Sequence, residues 1–264
     1  MFRSVVNTVP TPALVFAGVV VVPAITLGGV WLVRTVVPRT RDGFDAEVSS
    51  QMLGVVATLF GLLLAFVVVL TFQAYSDAGD NVRIESDALA QVVRDSGAFA
   101  PRDRARVRAA TGSYVRAVVG DEWPRLRDGR DSERAWADVD GLYRAMQSVH
   151  PTTPAGTAFY DDAVRRLNDA LAARRSRISD VSGGLSAPIV ALLLLGSLAI
   201  LGYAIFVGSR SAAFHAIGAV AIATVLGFSL VVLLVYNFPY SGDLAIDPGP
   251  FREGVLAQYF ASPR

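Results

Sequence analysis

The sequence contains no cysteine and no lysine, and it has two histidines and little charge for its length. Each shortage removes a class of protein. Without cysteine there is no disulfide framework of the kind that staples small secreted domains, and no thiol nucleophile. His150 and His215 lie far apart, and neither has metal-ligand spacing around it. No P-loop and no G-x-S-x-G serine motif occurs, so no enzymatic activity is expected and no cofactor is implied. A net charge of +1 argues against a nucleic-acid binder. Every basic residue is arginine, a bias that a GC-rich genome explains as well as any chemistry.

Charged residues make up 18% of the 264 residues, against about 25% in soluble domains. Mean hydropathy is +0.45. The deficit is concentrated in four nearly charge-free stretches: Pro12–Val33, Met52–Phe72, Leu185–Val207 and Ala212–Phe238. Each is long enough to cross a hydrocarbon core of about 30 Å at about 1.5 Å per helical residue. Backbone groups cannot stay unpaired in lipid, and continuous apolar runs suit helices rather than alternating barrel strands. The first run contains Pro23 and Gly28–Gly29, which membrane helices tolerate. It is too long for a signal-peptide core and no A-x-A-like site ends it. The expected class is all-α, a polytopic membrane protein with four transmembrane helices and a helical water-facing insert between helices two and three. Its segments are 1–73 (helices one and two), 74–184 (insert), 185–240 (helices three and four) and 241–264 (tail).

The insert is neutral. It carries 17 acidic residues and 17 arginines, which is 34 of the chain's 47 charges. Its apolar residues recur at helical spacing. The second membrane helix is expected to run on from Ala74, with Leu89, Val92, Val93 and Phe99 on one face. Pro101 starts a helix bearing Val107, Tyr114 and Val118, and Pro124 is expected to close it. Asp131 or Ser132 caps a third helix with Trp136, Val139, Tyr143 and Met146 as its stripe. Thr153–Pro154 opens a fourth, carrying Val164, Leu167, Leu171 and Ile178, and Gly183–Gly184 and Pro188 mark a hinge into the third membrane helix. The short loops and their flanks carry Arg34, Arg39, Arg41 and Arg210, which puts those loops in the cytoplasm and the insert outside a bacterial cytoplasmic membrane.

Ionisable residues inside membrane segments mark proton and ion paths. The four cores hold none apart from His215, near the start of the fourth, which speaks against a carboxylate-relay transporter. Two rows stand out on the second helix. Gly54, Thr58, Gly61 and Ala65 form a small-residue face that allows close helix packing. Phe60, Leu64, Val68 and Phe72 repeat every four residues, and symmetric copies could bring them to an axis as a hydrophobic constriction. The pairs Asp121–Glu122 and Asp161–Asp162 read as capping and dipole-compensating residues. The run Arg102, Arg104, Arg106, Arg108 reads as a solvated face. In the tail, Ser241, Gly242 and Asp243 read as a turn just past the last membrane helix, with a vestibule carboxylate at Asp243 as the alternative.

Three strings together resemble the bacterial bestrophin-like membrane family: Phe60-Gly61-Leu62-Leu63-Leu64-Ala65-Phe66, Asp121-Glu122-Trp123-Pro124, and Ser241-Gly242-Asp243-Leu244 with Phe251-Arg252-Glu253. Bestrophins are pentameric anion channels whose second membrane helix lines an apolar neck. The resemblance therefore implies a homo-oligomer in a lipid bilayer, passing a small anion, with Phe60, Leu64 and Val68 as neck residues. No acidic cluster matches the calcium clasp of animal bestrophins. The alternative expectation is a non-conducting membrane interaction or sensor protein whose insert binds a partner.

Overall fold

The structure, a computed structural model, describes residues 2–36, 43–206 and 211–261. Arg39, Arg41 and Arg210, on which the expected orientation leans, lie outside the described residues. The described chain has no strand. It divides into two compact units, Met1–Ala74 with Gly184–Asn237, and Tyr75–Gly183 with Phe238–Arg264.

The first unit begins with α1 (Phe2–Thr8). Next come α2 (Thr11–Phe16) and α3 (Val22–Val36), joined by a π turn, Ala17–Val21, into one span from Thr11 to Val36. The membrane part of α4 (Gly43–Asp95) follows, and α9 (Ala187–Phe206) and α10 (Ala212–Tyr236) complete the unit. Among the described residues, four helices are long and apolar enough to cross a membrane. α3 packs against α9 and α10, while α4 brings Leu64 and Val67 against Leu193, Ile200, Leu226 and Leu233. The outward surface of the unit is as apolar as its interior, with Trp31, Leu62, Phe66, Leu195, Leu198 and Phe214 all exposed. Water would not tolerate that surface, but acyl chains solvate it without cost.

α4 is one unbroken helix of 53 residues, about 80 Å at the standard rise. From Tyr75 onward it belongs to the second unit, which also holds α5 (Pro101–Ala117), α6 (Trp123–Leu126), α7 (Glu133–Gln147) and α8 (Pro154–Asp180). Two local expectations hold at the atomic level. The Ser132 hydroxyl accepts from the Ala135 amide at 3.1 Å to cap α7, and Thr153 accepts from Gly156 at 3.0 Å to cap α8 ahead of Pro154.

Pro124 does not close its helix. The chain widens into a π turn at Val118–Glu122 and carries on as α6. The π turn at Ala17–Val21 likewise ends two residues before Pro23. Proline lacks the amide that would bond the carbonyl four residues back, and its ring collides with that carbonyl. A widened turn moves the carbonyl aside, so the helix bends its hydrogen-bond ladder instead of stopping.

The core of the second unit draws on every helix in it: Val82, Leu89 and Val93 from α4, Val107 and Tyr114 from α5, Trp123 and Leu126 from α6, Leu142 and Met146 from α7, and Leu167 and Leu171 from α8. Tyr240, Phe251 and Leu256 of the tail are part of the same core. The tail is therefore packed into the insert's domain and does not stand apart as a separate segment.

Candidate functional site

Four charged side chains lie at the centre of the helical unit, all fully buried: Glu85 from α4, Glu122 from the π turn, and Arg174 and Arg177 from α8. Helical spacing puts them there. Glu85 falls in the stripe Ala78, Val82, Leu89 of α4, and Arg174 and Arg177 continue the stripe Leu167, Ala170, Leu171 of α8 at steps of three. The π turn brings Glu122 to meet them. Its expected role as a helix-end charge is corrected by this geometry, because a carboxylate with no solvent contact must find cations, and here it finds two.

Arg177 grips Glu85 with both prongs, Nε to Oε2 at 2.8 Å and Nη2 to Oε1 at 3.1 Å, and its Nη2 also reaches Glu122 Oε1 at 2.8 Å. Arg174 pairs with the other oxygen of Glu122, and the Tyr114 hydroxyl donates to Glu85. Aromatic faces cover the guanidiniums. Trp136 lies 4.2 Å from the Arg174 guanidinium carbon, and Trp123 lies 5.1 Å from that of Arg177. Burial works against the charge on Arg177, but Glu85 and Glu122 outweigh it and push its pKa up. Burial, and then the neighbouring Glu85 charge, push the Tyr114 phenol well above its ordinary value, so the hydroxyl stays a donor. Two carboxylates and two guanidiniums balance in charge but not in hydrogen bonds. Arg174 Nε and Nη1 and Arg177 Nη1 are buried without a hydrogen-bond partner among the described residues. An unmet buried donor costs about 1–3 kcal/mol.

The string Asp121-Glu122-Trp123-Pro124 acts as a unit. Pro124 accompanies the π turn, Glu122 enters the ion cluster, and Asp121 accepts from Ser132 and Arg125. The hydrogen bond from Ser132, with Arg125 adding to it, holds the Asp121 carboxyl below the usual range. Trp123 donates to the Ile246 carbonyl at 3.0 Å and meets Tyr240 and Phe251 edge-on. Ser241 donates to the Arg127 carbonyl at 2.9 Å, Gly242 turns the chain with φ 76°, and Asp243 is exposed beside it. Two strings more than a hundred residues apart thus meet at one tryptophan.

In the membrane unit, the two rows of α4 face different ways. Phe60, Leu64 and Val68 pack within their own chain, Leu64 at 3% exposure and Phe60 against Gly196 of α9. Phe72 is largely exposed and meets Tyr236 edge-on at 5.5 Å. Gly54, Thr58, Gly61 and Ala65 are exposed, with open space around a Cβ built at Gly54 or Gly61. The Thr58 hydroxyl is satisfied within the helix by the Gly54 carbonyl at 2.7 Å. Val55, Leu62 and Val69, two turns apart, are 62%, 70% and 62% exposed and form the bare side opposite Leu64.

His215 is buried and ties three membrane helices together. Arg34 of α3 donates from Nε to His215 Nδ1 at 3.2 Å, and His215 Nε2 lies 2.8 Å from the Ala204 carbonyl of α9. Arginine only donates and a carbonyl only accepts, so Nδ1 takes the hydrogen bond from Arg34 and Nε2 faces the Ala204 carbonyl as donor. Near the start of the fourth membrane helix, His215 thus serves as a structural pin between helices. His150 is exposed and contacts the Ser148 carbonyl. Arg106 and Arg108 of the expected solvated face reach Ser148 and Ser96, and no group of acidic or histidine side chains able to hold a metal occurs among the described residues.

The match that decides the family runs through both units: residues 20–251 fit the Bestrophin-like domain. The chain belongs to the Bestrophin-like family. No curated protein and no solved structure matches it. For this Bestrophin-like chain, the matched span takes in the buried ion cluster, α4 and the part of the tail, through Phe251, that closes on Trp123. Glu85, Tyr114, Arg174 and Arg177 were not legible as a site from sequence. The available signal was a charge falling on an apolar stripe, visible at Glu85 and Arg174.

Proposed function

We propose that the protein is the subunit of an oligomeric anion channel in a bacterial cytoplasmic membrane, with the helical unit on the outer side. Family membership supports the class, since the Bestrophin-like domain is associated with anion channels. The observation that carries the reading is the two-sidedness of α4. One face is committed to α9 and α10, and the opposite face, Val55, Leu62 and Val69, is bare and wholly apolar. In this reading copies gather around that bare face. The row Gly54, Thr58, Gly61, Ala65 lets the next copy approach closely, and Leu62 forms the neck in place of the enclosed Leu64. An apolar neck binds anions weakly and lets them leave.

Purified protein, cross-linked to establish its oligomer, is reconstituted into liposomes. Chloride flux is expected, with Leu62→Ala raising it and Leu62→Asp suppressing it. Absence of flux from vesicles shown to contain folded oligomer, or a purified protein that is monomeric, overturns the reading.

A second reading, a membrane protein whose helical unit binds a partner, is favoured by one feature. An open groove of about 870 Å³ runs between α4 and the tail, lined by Asp80, Arg83, Asp87, Arg94 and Glu253 among others. Copurification of a partner lost on Asp87→Arg, together with no conductance, selects this reading.

A further inference from the structure

We propose that Arg174 and Arg177 form a buried binding site for a small monovalent anion inside the helical unit. The proposal depends on no property of the membrane helices and stands or falls independently of conduction. Arg174 and Arg177 are both fully buried, and Arg174 Nε, Arg174 Nη1 and Arg177 Nη1 have no hydrogen-bond partner among the described residues. Both arginines reach the same carboxylate, Arg177 at Glu122 Oε1 and Arg174 at Oε2. The oxygens of Glu85 and Glu122 are all engaged already, by Tyr114 and the two arginines.

The surplus in the cluster is therefore chiefly of donors: three guanidinium nitrogens have no partner among the described residues, whereas each carboxylate oxygen already accepts at least one hydrogen bond. A guanidinium has five N–H groups and no acceptor. Water brings two donors of its own and would need further acceptors, whereas a halide or nitrate only accepts. The surroundings favour such a bond, because charge-assisted hydrogen bonds strengthen where water is excluded. The Arg174 guanidinium carbon lies 4.2 Å from the Trp136 ring centre and 5.7 Å from that of Tyr114, so aromatic rings pack against the group. Trp136 is itself partly exposed and is held by Asp131 at 3.0 Å, so it forms the layer between Arg174 and solvent.

The tryptophans report on the site. The chain has three, Trp31, Trp123 and Trp136, and Trp31→Phe leaves only the two that cover the arginines. Sodium iodide is titrated against sodium gluconate at fixed ionic strength into the full-length Trp31→Phe protein. A saturable quenching component is expected, along with a higher melting temperature in chloride or bromide than in gluconate. Arg174→Gln is expected to remove the saturable component and the melting shift while helicity is retained. Should that variant not fold, crystals of the native protein in bromide decide the matter: an anomalous peak within hydrogen-bond reach of Arg174 Nε or Nη1 supports the site. Strictly linear quenching, or ordered water alone at those nitrogens in bromide, overturns it.

Discussion

Gly18 of the first membrane span and Gly227 of α10 meet backbone against backbone. A Cβ built on Gly18 would lie 2.7 Å from the Gly227 carbonyl oxygen, and one on Gly227 would collide with the carbonyl of Gly18. Gly18 sits in the π turn that precedes Pro23. The widened turn and the missing side chains together let two membrane helices cross at a distance that no other residue permits.

This contact yields the first prediction. Gly18→Ala and Gly227→Ala each force the helices apart, because the obstructing atoms are backbone and cannot rotate away. Overpacking of this kind costs about 1–3 kcal/mol. Each variant is expected to melt at lower temperature in detergent, whereas Gly28→Ala, where a Cβ meets nothing, leaves the melting temperature unchanged. Equal melting of all three would show that the crossing is not close.

The ion cluster makes a second. Glu122→Ala strips Arg174 of its carboxylate and leaves Arg177 with Glu85 alone. Breaking a buried pair on one side costs about 3–5 kcal/mol, since the remaining charge is stranded. Removing Glu122 and Arg174 together is expected to cost less than the two single losses added, because the charge is again balanced. A denaturation cycle over the four proteins measures the coupling, and strict additivity would mean that the two charges do not interact.

Asp95 gives the pH dependence. It is buried at the end of α4, accepts from Gln91 at 2.8 Å, and faces Asp162 and Arg166. Burial, with the Asp162 charge adding to it against the Gln91 bond, raises its pKa. A carboxyl raised in the folded state holds its proton more firmly there than in the unfolded chain. Its contribution is complete below the ordinary carboxylate value and is lost as pH climbs through the raised one. Asp95→Asn keeps the acceptor for Gln91 and cannot ionise. It is expected to melt above the native protein at neutral pH and level with it in acid, and melting curves across pH check both limbs. Asp162 acts in the opposite direction. Its carboxyl is held low chiefly by Arg165, so that contribution is lost as pH falls.

The tail supplies the last. Tyr240, Phe251 and Leu256 are buried in the core of the helical unit, and the Ile246 carbonyl accepts from Trp123. Expressed without residues 238–264, the segment 75–183 is expected to lose cooperative melting and bind a hydrophobic dye. The same segment with the tail joined by a flexible linker is expected to melt cooperatively. A sharp transition in the tail-less segment would show the insert to be autonomous.

The four membrane crossings, the caps at Ser132 and Thr153 and the start at Pro101 were legible in the sequence. Transfer into lipid depends on the composition of about twenty consecutive residues, and a cap depends on its own few neighbours. The ion cluster was not legible, because Glu85, Glu122 and Arg177 are brought together across gaps of 37 to 92 residues, and a charge on an apolar stripe does not name its partner. Nor was the continuation of the helix past Pro124, which a π turn absorbs. Which row of α4 turns inward was beyond the sequence for a further reason. A membrane helix is apolar on every side, so the contrast that orients an amphipathic helix is missing. The choice between the Leu64 face and the Leu62 face was left to packing, and the fit of Phe60 over Gly196 and of Leu64 among Leu193 and Leu226 made it.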